Sequence, residues 1–91
     1  MNVAEQLRAA AQYIREHGWK RGAYGRDGGP RCMVGAFASV LGCDPIAICV
    51  GDLPDELHDV TGLEVSDFND HACKSKRDAI AALEIAADLA S

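Results

Sequence analysis

Four cations stand in or beside a run of glycines: Lys20, Arg21, Arg26 and Arg31 punctuate a segment that holds Gly22, Gly25, Gly28 and Gly29. Glycines let backbone N–H groups approach a phosphate closely, and arginine forks match its oxygens two at a time. A helix beginning after Arg31 would add partial positive charge. The chemistry such a segment can do is capture of an anion, with Trp19 and Tyr24 as surfaces for stacking or packing. A second polar segment, ahead of the last helix, brings Asn69, Asp70 and Lys74 and completes the candidate ligand-binding set of Trp19, Arg21, Tyr24, Arg26, Arg31, Asn69, Asp70 and Lys74. Two plainer alternatives stand beside this one. The cations can pair with acids of the same chain, and Asn69 with Asp70 can cap a helix or tie the connector to the glycine loop. Neither G-x-x-x-x-G-K-[ST] nor G-x-G-x-x-G occurs, so nucleotide hydrolysis and dinucleotide redox chemistry find no support.

Cys32 is the weak catalytic candidate. At a helix start beside Arg31 its thiol pKa would fall, and His71, Asn69 or Asp70 would be its partners in Cys-His-Asn chemistry. A cysteine entering an apolar helix also serves as a compact core residue. Cys32, Cys43, Cys49 and Cys73 match no zinc spacing, so free thiols are expected, with neither a metal nor a cofactor.

Charge is segregated. All nine Lys and Arg lie outside residues 32–73, whereas Asp44, Asp52, Asp55, Glu56, Asp59, Glu64, Asp67 and Asp70 fill the middle without a basic residue. A net charge of -5 and a pI of about 4.9 speak against nonspecific nucleic-acid binding. The acids offer a rival function, imitation of the DNA phosphate track to block a basic groove on a host protein. Ile46, Ile48, Val50, Leu53, Leu57 and Val60 interrupt them, as on an ordinary amphipathic surface. No apolar run approaches about 18 residues and no charged-then-apolar leader opens the chain, so neither a membrane partner nor export is expected, and the cytosol is the expected location. Assembly into a homo-oligomer stays open.

These residues must be positioned by one helical domain spanning residues 1–91, which is of single-domain length. Asn2 and Glu5 make a capping box, Val3, Leu7, Ala10, Ala11 and Ile14 recur at helical spacing, and Gly18 is a natural stop, so a helix is expected over about 3–17. The glycine-rich stretch 19–30 forms an ordered loop or short hairpin, with Trp19 and Tyr24 anchoring it to the core. An apolar helix follows from Arg31 or Cys32 to Leu41, ended by Gly42, and the Gly35-Ala36 pair marks a close approach of another helix. A short helical turn is expected at Pro45–Val50, where Ile46, Ile48 and Val50 would equally suit a brief strand, and another helix from Leu53 to Gly62. A connector then runs through Phe68, Asn69 and Asp70 to a last helix that opens on a Ser75-Asp78 capping box and carries Ile80, Leu83, Ile85, Ala87 and Leu89 as its apolar stripe. The fold class is all-α, a small orthogonal bundle of four to five helices with room for a short β element in the loop. The first and last helices enclose the apolar helix between them.

The segments His17 to Tyr24, Arg31 to Phe37 and Phe68 to Asp70 together resemble a family of small uncharacterised proteins from actinobacteria and their phages, in the pattern GWxxGA … CxxGA … ND. The fixed points fall on Gly18, Trp19, Gly22, Ala23, Cys32, Gly35, Ala36, Asn69 and Asp70, and nearly the whole chain is covered. The resemblance implies origin and fold rather than an activity. The resulting expectation is a non-catalytic binding or regulatory module whose basic glycine-rich loop takes an anionic small molecule or nucleotide signal. An acidic-surface inhibitor of a host enzyme is the alternative, and a cysteine-dependent enzyme comes third.

Overall fold

A computed structural model of the chain describes residues 1–45, 53–62 and 64–91. Among these the architecture is all-α, as expected: α1 (Val3–His17), α2 (Met33–Leu41), α3 (Asp55–Thr61), α4 (Val65–Asp67) and α5 (Lys76–Ala90), with a π-helical turn at Phe68–Ala72 between α4 and α5. The helical turn expected at Pro45–Val50 lies outside the described residues, apart from Pro45 itself, and so does Cys49.

Helix ends follow local chemistry. The Asn2 side chain accepts from Glu5 N–H at 2.8 Å, and the Gly18 N–H closes α1 by donating to the Ile14 carbonyl at 2.9 Å. Gly42 and Gly62, both left-handed, stop α2 and α3. At α5 the capping box is displaced by one residue. The Ser75 side chain makes no cap bond, and Asp78 reaches back to the Lys74 N–H at 2.8 Å.

The core is built around α1, which buries Ala4, Leu7, Ala10, Ala11 and Ile14 and packs against α5 on one side and α2 on the other. The expected order, with α2 enclosed between the outer helices, is therefore corrected: α1 is central, and α5 packs against α1 and α3. Small residues explain this arrangement. Ala10 and Ala11 on α1 and Ala79, Ala82, Ala86 and Ala87 on α5 are all buried, so two long helices can approach closely without large knobs to accommodate. Burying Leu7, Ile14 and Leu83 in full contributes about 1.5–3 kcal/mol each. The stripe expected on α5 is shifted: Ile85 is 53% and Leu89 59% exposed, because the face turned to α1 is the alanine face. Arg8 to Asp88 and Arg15 to Glu84 bridge the rim of that interface at 3.0 and 2.7 Å.

No strand forms among the described residues. The glycine-rich loop contributes one isolated parallel bridge, Trp19 with Arg31, made by Lys20 N–H to the Arg31 carbonyl at 3.1 Å and Arg31 N–H to the Gly18 carbonyl at 3.4 Å. Of the two expected anchors of this loop, Trp19 packs against the core, whereas Tyr24 is 39% exposed. A further anchor is Tyr13, whose hydroxyl accepts from Gly28 N–H at 2.9 Å and donates to the Gly29 carbonyl at 2.7 Å. His17 stacks on the same ring, its centroid 4.4 Å away.

Candidate functional site

The stretch expected as a connector is helical, and its π-turn closes when Cys73 N–H donates to the Phe68 carbonyl at 3.0 Å, five residues back. This turn directs Asn69 into the core, where it is wholly buried. Its Oδ1 accepts from the Trp19 indole N–H at 2.7 Å and from Met33 N–H at 3.0 Å. Its Nδ2 donates to the Lys20 carbonyl at 3.1 Å and to Asp70 Oδ1 at 3.0 Å. Both lone pairs and both N–H groups of the amide are thereby used. Because Met33 opens α2, Asn69 caps its first N–H from 36 residues away, while the N-cap residue Cys32 accepts locally from Gly35 N–H through Sγ at 3.3 Å.

Asp70 continues the clasp by accepting from Gly22 N–H at 2.8 Å. That bond is the main reason its carboxyl titrates below the ordinary range. Partial burial opposes the effect, and Asn69, His71 and Arg21 assist it. Arg21 donates to the Cys73 carbonyl, and its guanidinium carbon lies 5.2 Å from the centre of the Trp19 ring, within cation–π range. Trp19, Arg21, Asn69 and Asp70 thus form one intramolecular clasp between loop and π-turn.

Arg31 is on the other side of Tyr24 and only 4% exposed. Its Nε donates to the Tyr24 carbonyl at 2.9 Å and its Nη1 to Ser39 Oγ at 2.7 Å. Gly35 makes this path available. A methyl group there would overlap the Tyr24 carbonyl oxygen and stand 2.8 Å from Arg31 Nε. The close approach read from Gly35 is therefore that of the loop and the arginine stem. Arg31 lines an open cleft of about 430 Å³ together with Arg26, Tyr24, Cys43, Asp27 and Asp44. Among the described residues no carboxylate lies within 4.0 Å of its guanidinium, and the two ion pairs involve Arg8 and Arg15.

A separate cleft of about 250 Å³ lies on the clasp side of Tyr24, lined by Gly22, Ala23, Tyr24, Cys32, Ser66 and Asp70. Folding thus brings Cys32 near Asp70, which the sequence could not show. The effect on the thiol is the reverse of activation. Burial pushes its pKa up, hydrogen bonds from Gly35 and Val34 oppose this, Asp70 raises it further, and Arg31 has the weakest influence. No histidine lines the cleft, and His71 is exposed.

The expected set of site residues is accordingly split. Trp19, Arg21, Asn69 and Asp70 meet in the clasp, and Tyr24, Arg26 and Arg31 meet at the larger cleft. Lys74 is exposed and lines neither cleft, while Lys20 lines a further cleft of about 440 Å³ with Trp19, Arg26 and Pro30. Tyr13, Ser39 and Ser66 were missed. Tyr13 stands one turn before the glycine loop, a polar-tipped ring on a helix face, which is a usable signal. Ser39 and Ser66 carry no signal, because their roles depend on what packs beside them.

No group of three or more potential metal ligands is present among the described residues, and among them no helix is long and apolar enough to cross a membrane. The model of a family described as a family of unknown function (DUF6197) matches residues 1–89, and the chain belongs to that family. No curated protein and no solved structure matches it significantly.

Proposed function

We propose that this member of a family of unknown function is a non-catalytic binding module that takes an anionic small molecule, such as a phosphorylated metabolite or nucleotide, in the cleft between the glycine-rich loop and the end of α2. The observation that carries the reading is Arg31, a guanidinium 4% exposed, held by two neutral acceptors and by no carboxylate among the described residues. Burying a charge that touches no carboxylate among the described residues is costly, and an anion entering the cleft, where Asp27 and Asp44 also lie, offsets that cost. Arg26 lines the same cleft as a second cation, and Tyr24 supplies a partly exposed ring for stacking. In this reading the protein acts in the cytosol of an actinobacterium, encoded by the cell or by its phage.

Thermal shift against phosphate and a nucleotide panel tests it. A ligand at one hundred times its Kd stabilises by about 2.7 kcal/mol, so a clear rise in Tm is expected. Arg26→Gln, at an exposed position, should reduce the rise without unfolding the protein. Absence of any shift across the panel would exclude the reading.

A second reading, an inhibitor that docks through its acidic side on a basic groove of a host protein, draws on the exposure of Asp55, Asp59, Glu64 and Asp67, none ion-paired among the described residues. Capture of a partner from a lysate that survives Asp55→Lys with Asp59→Lys would remove it.

A further inference from the structure

The smaller cleft differs from the anion cleft in its chemistry. Its polar side chains are the Asp70 carboxylate, the Ser66 and Tyr24 hydroxyls and the Cys32 thiol, and neither Lys nor Arg lines it. Asp70 Oδ1 is taken by Gly22 N–H and Asn69 Nδ2, whereas Oδ2 carries no hydrogen bond among the described residues. The Ser66 hydroxyl likewise has none. The basic residues that act on Asp70 are Arg21 and His71. Arg21 is turned onto the Trp19 ring and the Cys73 carbonyl, and the His71 side chain is exposed outside the cleft. The remaining wall is loop backbone at Gly22 and Ala23 and the ring of Tyr24, an amphipathic surface beside a carboxylate.

We propose that this cleft is a second binding site, sharing only Tyr24 with the anion cleft, for a small ligand bearing a primary ammonium group. The ammonium donates to Asp70 Oδ2 and Ser66 Oγ, and its aliphatic part lies against Ala23 and Tyr24. An ammonium has three donors and no acceptor, which matches a site that offers a carboxylate oxygen and a hydroxyl as acceptors and no cationic side chain. The volume of about 250 Å³ is near the lower limit for ligand sites, roughly 300 Å³, so the occupant is a small amine rather than a peptide. Asp70 is already fixed by its Oδ1 bonds, so the second oxygen is presented without further ordering of the side chain.

The test is a titration of the ¹⁵N-labelled full chain with n-butylammonium, with n-butanol as the neutral isostere and butyrate as the opposite charge. Saturable shifts at the amides of Gly22, Ala23, Ser66 and Asp70 are expected with the ammonium, and none with the other two. Asp70→Asn still offers an oxygen to Gly22 N–H, and its spectrum reports whether the fold is kept; affinity should fall at least about tenfold for a lost charge-assisted bond. Ser66→Ala, outside the clasp, should weaken binding several-fold and keeps the test decisive if Asp70→Asn does not fold. Equal shifts from butanol, or unchanged affinity in either folded variant, would overturn the proposal. A negative result here leaves the Tm response to phosphate untouched, since Arg26 and Arg31 line the other cleft.

Discussion

The Trp19 indole N–H and the Asn69 amide oxygen, 50 residues apart, are joined at 2.7 Å, and the same oxygen receives the first free N–H of α2. One buried side chain therefore connects the loop, the π-turn and a helix start. The clasp organises both clefts, because Gly22 and Asp70 line one and Tyr24, held between them and Arg31, lines both.

Removing that connection should be severe. Asn69→Ala leaves the Trp19 and Met33 donors without their acceptor and frees the Lys20 carbonyl, a loss of about 2–4 kcal/mol by the cost of stranded buried groups. Urea denaturation measures it, and red-shifted Trp19 fluorescence in the folded baseline would show the indole released.

Gly35 and Gly22 should respond to alanine for different reasons. Gly35→Ala drives a methyl into the backbone carbonyl of Tyr24 and into Arg31, costing about 2–3 kcal/mol through overpacking. Gly22→Ala meets nothing within 4 Å and costs about 1 kcal/mol, through its left-handed φ of 80° alone. Equal losses in thermal melts would contradict the placement of Arg31 beneath the loop.

Acid should loosen the clasp at Asp70. Its folded pKa is lowered from the ordinary 3.8, chiefly by the Gly22 hydrogen bond, so its contribution is fully present above about pH 4 and is lost as pH falls through the folded value. In Asp70→Asn the urea midpoint should fall less between pH 5 and pH 2.5 than in the native chain. Hydrogen exchange at the Gly22 amide offers a local check.

The thiols should react in a fixed order. Cys43 is exposed, whereas Cys73 is buried and its pKa is pushed up to about 11, first by burial and then by Asp78. Burial likewise raises Cys32. Alkylation at pH 8 followed by peptide mapping should show Cys43 modified more than about tenfold faster than Cys32 or Cys73. Rapid labelling of Cys32 would revive a nucleophilic role.

Helix ends were legible in the chain because capping acts over a few residues: Asn2 with Glu5, Gly18, Gly42 and Gly62 all punctuate where local chemistry requires. The asparagine-aspartate pair was legible as a tie to the glycine loop, but its partners were not. Nothing near residue 69 announces Trp19 or Met33, and nothing near Arg31 announces Ser39 as its acceptor. Ile85 and Leu89 fit the period of α5 as well as its alanines do, and only docking against α1 decided which face is covered. Composition and spacing by themselves determined an all-α chain with an ordered cationic loop. Tertiary packing decided that Asn69 lies inside, that Arg31 is buried beside Arg26, and that the cations divide between clasp and cleft, since burial and hydrogen-bond pairing depend on neighbours far along the sequence.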